Sequence, residues 1–177
     1  MAAGSVQLNR EQVVRLSELA GVLRDDAEAC AREKRWRAAA LLIAESVEAA
    51  LLATIRCCET ELQAAGAWPT DTRPLHHMEL GALLTVARDA GWLVPTLPHT
   101  SDAVESLGGD VGDAIRFLVE VRNIAAHPGR AISGGRLPGL DLTDGALMAQ
   151  TYPLLEGIAG AVFEKLSEVI RALPDLP

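Results

Sequence analysis

Apolar residues recur at Val13, Leu16, Ala20, Leu23, Ala27 and Cys30, in alternating steps of three and four. That spacing lines one face of an amphipathic helix. Asn9 is placed to cap it, Gln12 to reciprocate three residues later, and Leu8 to staple onto Val13. Residues 1–7 read as a tail ahead of it. Gly21 weakens the helix interior without ending it. A second helix is expected over residues 37–62, rich in Ala and Leu and free of proline. Leu41, Leu52 and Ile55 mark its apolar side, and Glu45, Glu48 and Glu59 its charged side. Gly66, Pro69 and Pro74 then break the pattern.

A third helix is predicted over residues 75–90, closed by Gly91. Residues 92–98 carry two prolines and read as a loop. A short helix over 101–107 begins with Ser101 as cap. After Gly108-Gly109, a fourth long helix spans 111–126, capped by Asp110 and ended by Pro128-Gly129. Residues 129–143 form a glycine-containing loop. The last helix covers 144–173, where Pro153 either kinks it or begins its main section. Its buried stripe is Leu154, Ile158, Ala161, Leu166, Val169 and Leu173. No segment reads as a strand. The expected fold is all-α: an up-and-down helical bundle with a Gly-rich loop before the last helix, residues 8–177 forming a single domain.

Composition sharpens this picture. Aromatic residues make up only 3% of the chain and hydrophobic residues 49%, so the core must be built from Ala, Leu, Val and Ile, which suits close-packed helices. The formal net charge is -8, which disfavours a protein that coats long nucleic acid but permits a small local RNA cleft. Three Cys without paired spacing fit a reduced, cytoplasmic chain. The N-terminus has no basic region followed by an apolar run, so no signal peptide is expected. The apolar stretch from Ala38 to Ala44 is too short to span a bilayer, so no membrane role is expected.

One constellation carries chemistry: Arg122-Asn123-Ile124-Ala125-Ala126-His127, at the end of the fourth helix. At about 100° per residue, Arg122 and His127 stand roughly 140° apart around the axis, within reach of a long Arg side chain. Asn123 and His127 are four apart and share a face. His127 meets the negative end of the helix dipole. These residue types suit RNA cleavage through the 2′-hydroxyl. His127 can move protons, Arg122 can grip phosphate with its fork of donors, and Asn123 can orient His127 or hold an oxygen. The reaction requires neither metal nor cofactor. One His and one Arg make a sparse site, which two copies facing across a twofold axis would double. The alternative is structural: Arg122 pairs with Asp113, Glu120 or an acid on a neighbouring helix, while Asn123 and His127 bond loop carbonyls.

The segment Val121 to Gly129, following a long Ala- and Leu-rich helix, resembles the signature of the HEPN superfamily: Arg, a polar residue, three further residues, then His. The order is similar to the DUF4145 type of HEPN-like domain, over roughly residues 36–129. The resemblance implies a helical bundle, often dimeric, and for many members metal-independent endoribonuclease activity in toxin–antitoxin systems or phage defence. It matches Arg122 and His127 to the catalytic pair and Asn123 to the polar position between them. It implies products with a 2′,3′-cyclic phosphate and a 5′-hydroxyl, and antitoxin or defence-system protein partners. A catalytically silent helical module that binds a protein partner is the alternative function. Small-molecule binding between helices is a third.

Other groups carry less. His76, His77, His99, Cys57 and Cys58 lack zinc-ligand spacing, and adjacent helical positions diverge by about 100°. Glu45 and Glu48 lack the Glu-x-x-His partners of a di-iron site, so a solvated or interface role is expected. The run from Arg32 to Arg37 reads as a solvated helix corner with phosphate binding as the alternative, and Trp36 as its packing residue. Gly134-Gly135 and Gly139 follow no strand and form no phosphate-binding loop. Residues 129–143 either fold over the Arg122–His127 cleft or simply connect two helices.

Overall fold

A computed structural model describes residues 10–69, 75–93, 102–107, 113–127, 129 and 137–172. The expected caps Asn9, Ser101 and Asp110 and the pair Gly134-Gly135 lie outside these residues, as do His99 and Leu173. The helices given by the described residues are, in chain order, α1 (Arg10–Arg32), α2 (Trp36–Cys57), α3 (Glu59–Ala64), α4 (Leu80–Asp89), α5 (Asp102–Glu105), α6 (Ala114–Ala126) and α7 (Gly145–Ala172). A 3-10 turn, Leu75–His77, precedes α4. The described residues contain no strand, so the fold is an all-α helical bundle.

The bundle is organised around α2. Its buried face includes Ala39, Ala40, Ala44, Ala49, Ala50 and Ala53 together with Ile43, Val47, Leu51 and Ile55. Alanines keep the helix slim, so α1, α4, α6 and α7 all pack against it. Two buried hydroxyls do not interrupt this face. Ser46 Oγ donates to Ile43 O at 2.7 Å and Thr54 Oγ1 donates to Ala50 O at 2.8 Å. In the α1 stripe, Val13, Ala20, Ala27 and Cys30 are buried, while Leu16 and Leu23 are only partly so. α2 is long and apolar enough to cross a membrane by composition, with mean hydropathy 1.8, but 67% of that window is buried inside the protein. It therefore serves as the core helix.

Several boundaries differ from the sequence expectation, each for a local reason. The expected helix over 37–62 is interrupted at Cys58, whose backbone (φ −98°, ψ 18°) separates α2 from the short α3. The Thr54 hydroxyl bond to the preceding turn is of the kind that bends helices. The expected helix over 75–90 divides at Glu79, which is extended (φ −73°, ψ 152°) and begins α4 without a side-chain cap. α6 begins three residues later than 111, because Asp113 is its cap: the carboxylate accepts from Arg116 N at 3.0 Å. Asp144 caps α7 by accepting from Ala146 N and Leu147 N. Pro153 lies within α7 and is exposed, near the start of a helix that continues to Ala172. The buried stripe of α7 runs through Met148, Leu155, Ile158, Val162, Leu166 and Val169, with Leu154 and Ala161 at its margin.

Three helices end in the same way. At Gly91 (φ +75°), Trp92 N–H reaches Ala87 O at 2.8 Å and Gly91 N–H reaches Arg88 O at 2.9 Å. This is a Schellman closure with glycine in the left-handed region. Gly66 closes α3 likewise. Lys34 (φ +59°) closes α1, with Arg35 N–H bonded to Cys30 O at 2.8 Å. A lysine at that dihedral is less favourable than glycine. The resulting turn folds α1 back against α2 as an αα-hairpin. Trp36 packs this corner against Tyr152 of α7, with ring centroids 6.2 Å apart.

Phe117 of α6 is fully buried at 0% exposure. Phe117→Ala is expected to destabilise the fold by about 3–5 kcal/mol, read as a lowered denaturation midpoint in urea. Gly139→Ala is also expected to destabilise, because a Cβ there would lie 3.0 Å from Leu107 Cα.

Candidate functional site

Helix α6 delivers the Arg122-Asn123 pair to the surface. Its buried side includes Phe117, Leu118, Val121, Ile124 and Ala125, and the acid Glu120 is buried among them. That register leaves Val119, Arg122 and Asn123 partly exposed on a shared flank. They form one wall of an open cleft of about 530 Å³. Glu48 of α2 contributes a second wall, and the segment from His77 to Gly81 a third. Gly81 of this third wall packs beside Val119, close enough that a Cβ there would make ordinary contact with Val119 Cγ2 at 3.5 Å.

Within the cleft, Arg122 Nη1 donates to Asn123 Oδ1 at 3.2 Å. Asn123 thus holds the guanidinium with its side chain, while its backbone carbonyl accepts the His127 N–H at 2.9 Å. Glu48 is a half-buried carboxyl. Burial pushes its pKa above the ordinary value; Arg122 pulls it back down, and Glu45 pushes it further up. Arg122 therefore has an acid on a neighbouring helix, one of the alternatives in the sequence reading. Asp113 instead caps α6 and lies 3.8 Å from the Arg116 guanidinium.

His127 has a different position. It is the C-cap of α6, with φ −126° and ψ 86°, and its side chain is exposed. The helix ends at Ala126, so angular bookkeeping at 100° per residue does not extend to His127. The expected shared face with Asn123 is replaced by a backbone link. His127 is not among the residues lining the Arg122 cleft. The end of α6 is instead joined to the start of α2, where Arg37 Nε donates to Ala125 O at 2.7 Å. That bond satisfies one of the carbonyls left open at a helix C-terminus.

Glu48 and His77 belong to the cleft but were not singled out for it in the sequence. Their signals were weak: a single acid between buried Val47 and Ala49, and a histidine just ahead of a helix. Among the described residues, no three His, Cys, Asp or Glu side chains gather in a group able to hold a metal ion. Cys57 and Cys58 are free thiols, and burial pushes both upward, Cys58 to about 11. The part of the 129–143 loop that is described packs away from the Arg122 cleft. Gly139 N–H bonds Leu107 O at 3.2 Å, and Leu142 and Thr143 lie at the α1–α2 corner. Comparison with protein-family models, with curated proteins and with solved structures finds no match.

The raised pKa of Glu48 has a measurable consequence. Between the ordinary carboxyl value of 4.5 and the higher native value, the folded state binds the extra proton. The contribution of Glu48 to stability therefore falls as pH rises through that window. Glu48→Gln is expected to gain stability relative to wild type as pH rises from 4.5 toward neutrality. Urea denaturation across that range measures this, and parallel curves for the two proteins would contradict it.

Proposed function

We propose that this chain binds RNA and cleaves it without a metal ion, as a HEPN-like endoribonuclease of a toxin or phage-defence system. The observation that carries the reading is the open cleft walled by Arg122 and Asn123, with His127 exposed at the end of the same helix. Arg122 offers a guanidinium fork to a phosphate and is held by the side-chain Oδ1 of Asn123. Glu48 lies within electrostatic reach of that fork, and its protonation favours an incoming phosphate by removing a nearby negative charge. The RNA 2′-hydroxyl loses its proton and its oxygen attacks phosphorus. The bond from phosphorus to the 5′-oxygen breaks, and that oxygen takes up a proton. A 2′,3′-cyclic phosphate and a 5′-hydroxyl result. His127 lies outside the Arg122 cleft of its own chain, so in this reading a homodimer brings the second copy's imidazole to that phosphate as the proton-transfer group.

A second reading is a catalytically silent HEPN-like module that docks a protein partner. Two observations favour it: Glu48 lines the same cleft within electrostatic reach of Arg122, and Val14, Leu19 and Val22 are exposed along α1. In that case Arg122 and Glu48 form an internal charge pair and α1 supplies apolar contact area.

Purified protein on mixed RNA, with EDTA present, separates the readings. Arg122→Ala is expected to reduce cleavage about 10²–10³-fold. His127→Ala is expected to reduce it about 10²–10⁴-fold. Asn123→Ala should cost less, since it positions Arg122. Equal residual activity in wild type and all three variants would identify contaminating nuclease and leave the silent-module reading.

A further inference from the structure

The corner between α1 and α2 is a cationic pocket in an acidic protein. An open pocket of about 670 Å³ is lined there by Lys34, Arg35 and Arg37, with Trp36, Leu41 and Thr143 among the other walls. Among the described residues none of those lining it is a carboxylate, although the chain carries a net charge of -8; Asp141 sits at its edge, accepting from the Thr143 N–H and hydroxyl at 2.8 and 2.7 Å. Glu33 lies next to it and pairs with Arg35 at 2.8 Å, but both side chains are more than half exposed. Solvent screens such a pair, and a phosphate offering more acceptors competes with it readily.

The place of the pocket is as informative as its charge. The Arg37 bond to Ala125 O sets one wall against the last turn of α6, two residues before His127. The cationic corner and the exposed imidazole thus adjoin the same helix end. The start of α2 adds the positive end of its helix dipole on that side, and Arg35 makes no side-chain capping bond there.

We infer that Lys34 and Arg35, with Arg37, hold the phosphodiester backbone of single-stranded RNA next to the phosphate being cut. This rests on the RNA reading above and extends it from one phosphate to the flanking strand. An unpaired strand fits because 2′-hydroxyl attack in line with the leaving oxygen needs a backbone free of duplex geometry. Net negative charge elsewhere confines binding to this corner and the Arg122 cleft, which accounts for how an acidic protein engages a polyanion.

The test is fluorescence anisotropy of the full chain with a short fluorescein-labelled 2′-O-methyl oligouridylate, which binds but cannot be cleaved by this chemistry. Lys34→Asn and Arg35→Gln are compared singly and together, with the thermal midpoint as the check on folding. Asn is used at Lys34 because it tolerates the left-handed backbone there. The double variant is expected to bind roughly tenfold more weakly at ~0.1 M salt. Its slope of log affinity against log salt should fall by about 1.4, two lost phosphate contacts at about 0.7 each. Wild-type protein that binds the oligonucleotide, with the double variant unchanged in affinity and slope, overturns the corner assignment. If RNA is cleaved with dependence on Arg122 and His127 in that case, the nuclease reading stands without it. Wild-type protein that neither binds this oligonucleotide nor cleaves RNA overturns both.

Discussion

Close packing against a slim central helix is the constraint on which this structure depends. Alanines dominate the buried face of α2, so four other helices reach its backbone closely enough to exclude water. A larger side chain at Ala40, Ala44 or Ala50, each at 0% exposure, would push neighbours apart on more than one side. The scarcity of aromatic residues has the same origin. Of the few present, Phe117 is fully buried on α6, and Trp36 packs against Tyr152 where the α1–α2 hairpin meets α7.

That packing determines where charge can survive. Glu48 faces the cleft and is half-buried; Glu45, three residues earlier, is exposed. The single turn between them separates a carboxyl that burial pushes upward from one on the open surface. Arg122 and Glu48 come into electrostatic reach because α6 packs on α2. The cleft contains its own counter-charge, so any anion that enters must outcompete it. Protonation of a half-buried acid is an inexpensive way for that competition to shift.

The two ends of α6 perform different tasks. Asp113 caps its start and orients the buried face. At its finish Arg37 ties the helix to the α1–α2 corner, while His127 departs from helical geometry into solvent. Residues adjacent in the sequence motif are therefore distributed over two surfaces, the Arg122 cleft and the cationic corner, joined by one turn of helix. An extended ligand bridging both uses this arrangement better than a small one.

Local periodicity and terminators were sufficient to read most of the secondary structure. The steps from Val13 to Cys30, the Gly91 closure and the end of α6 at Ala126 are properties of neighbouring residues, and a helix forms or stops over that same range. Boundaries that depend on hydrogen bonds of single side chains were not readable: the Thr54 hydroxyl before the Cys58 break, or the Asp113 carboxylate that caps α6. The candidate site divides along the same line. Arg122, Asn123 and His127 stood out because they are close in sequence. Glu48 and His77 join the cleft, and Arg37 meets Ala125, only because helices distant in sequence pack together. Sequence determined which faces are apolar, since each helix buries its own stripe; tertiary packing decided which charges meet, since that depends on where separate helices place their flanks.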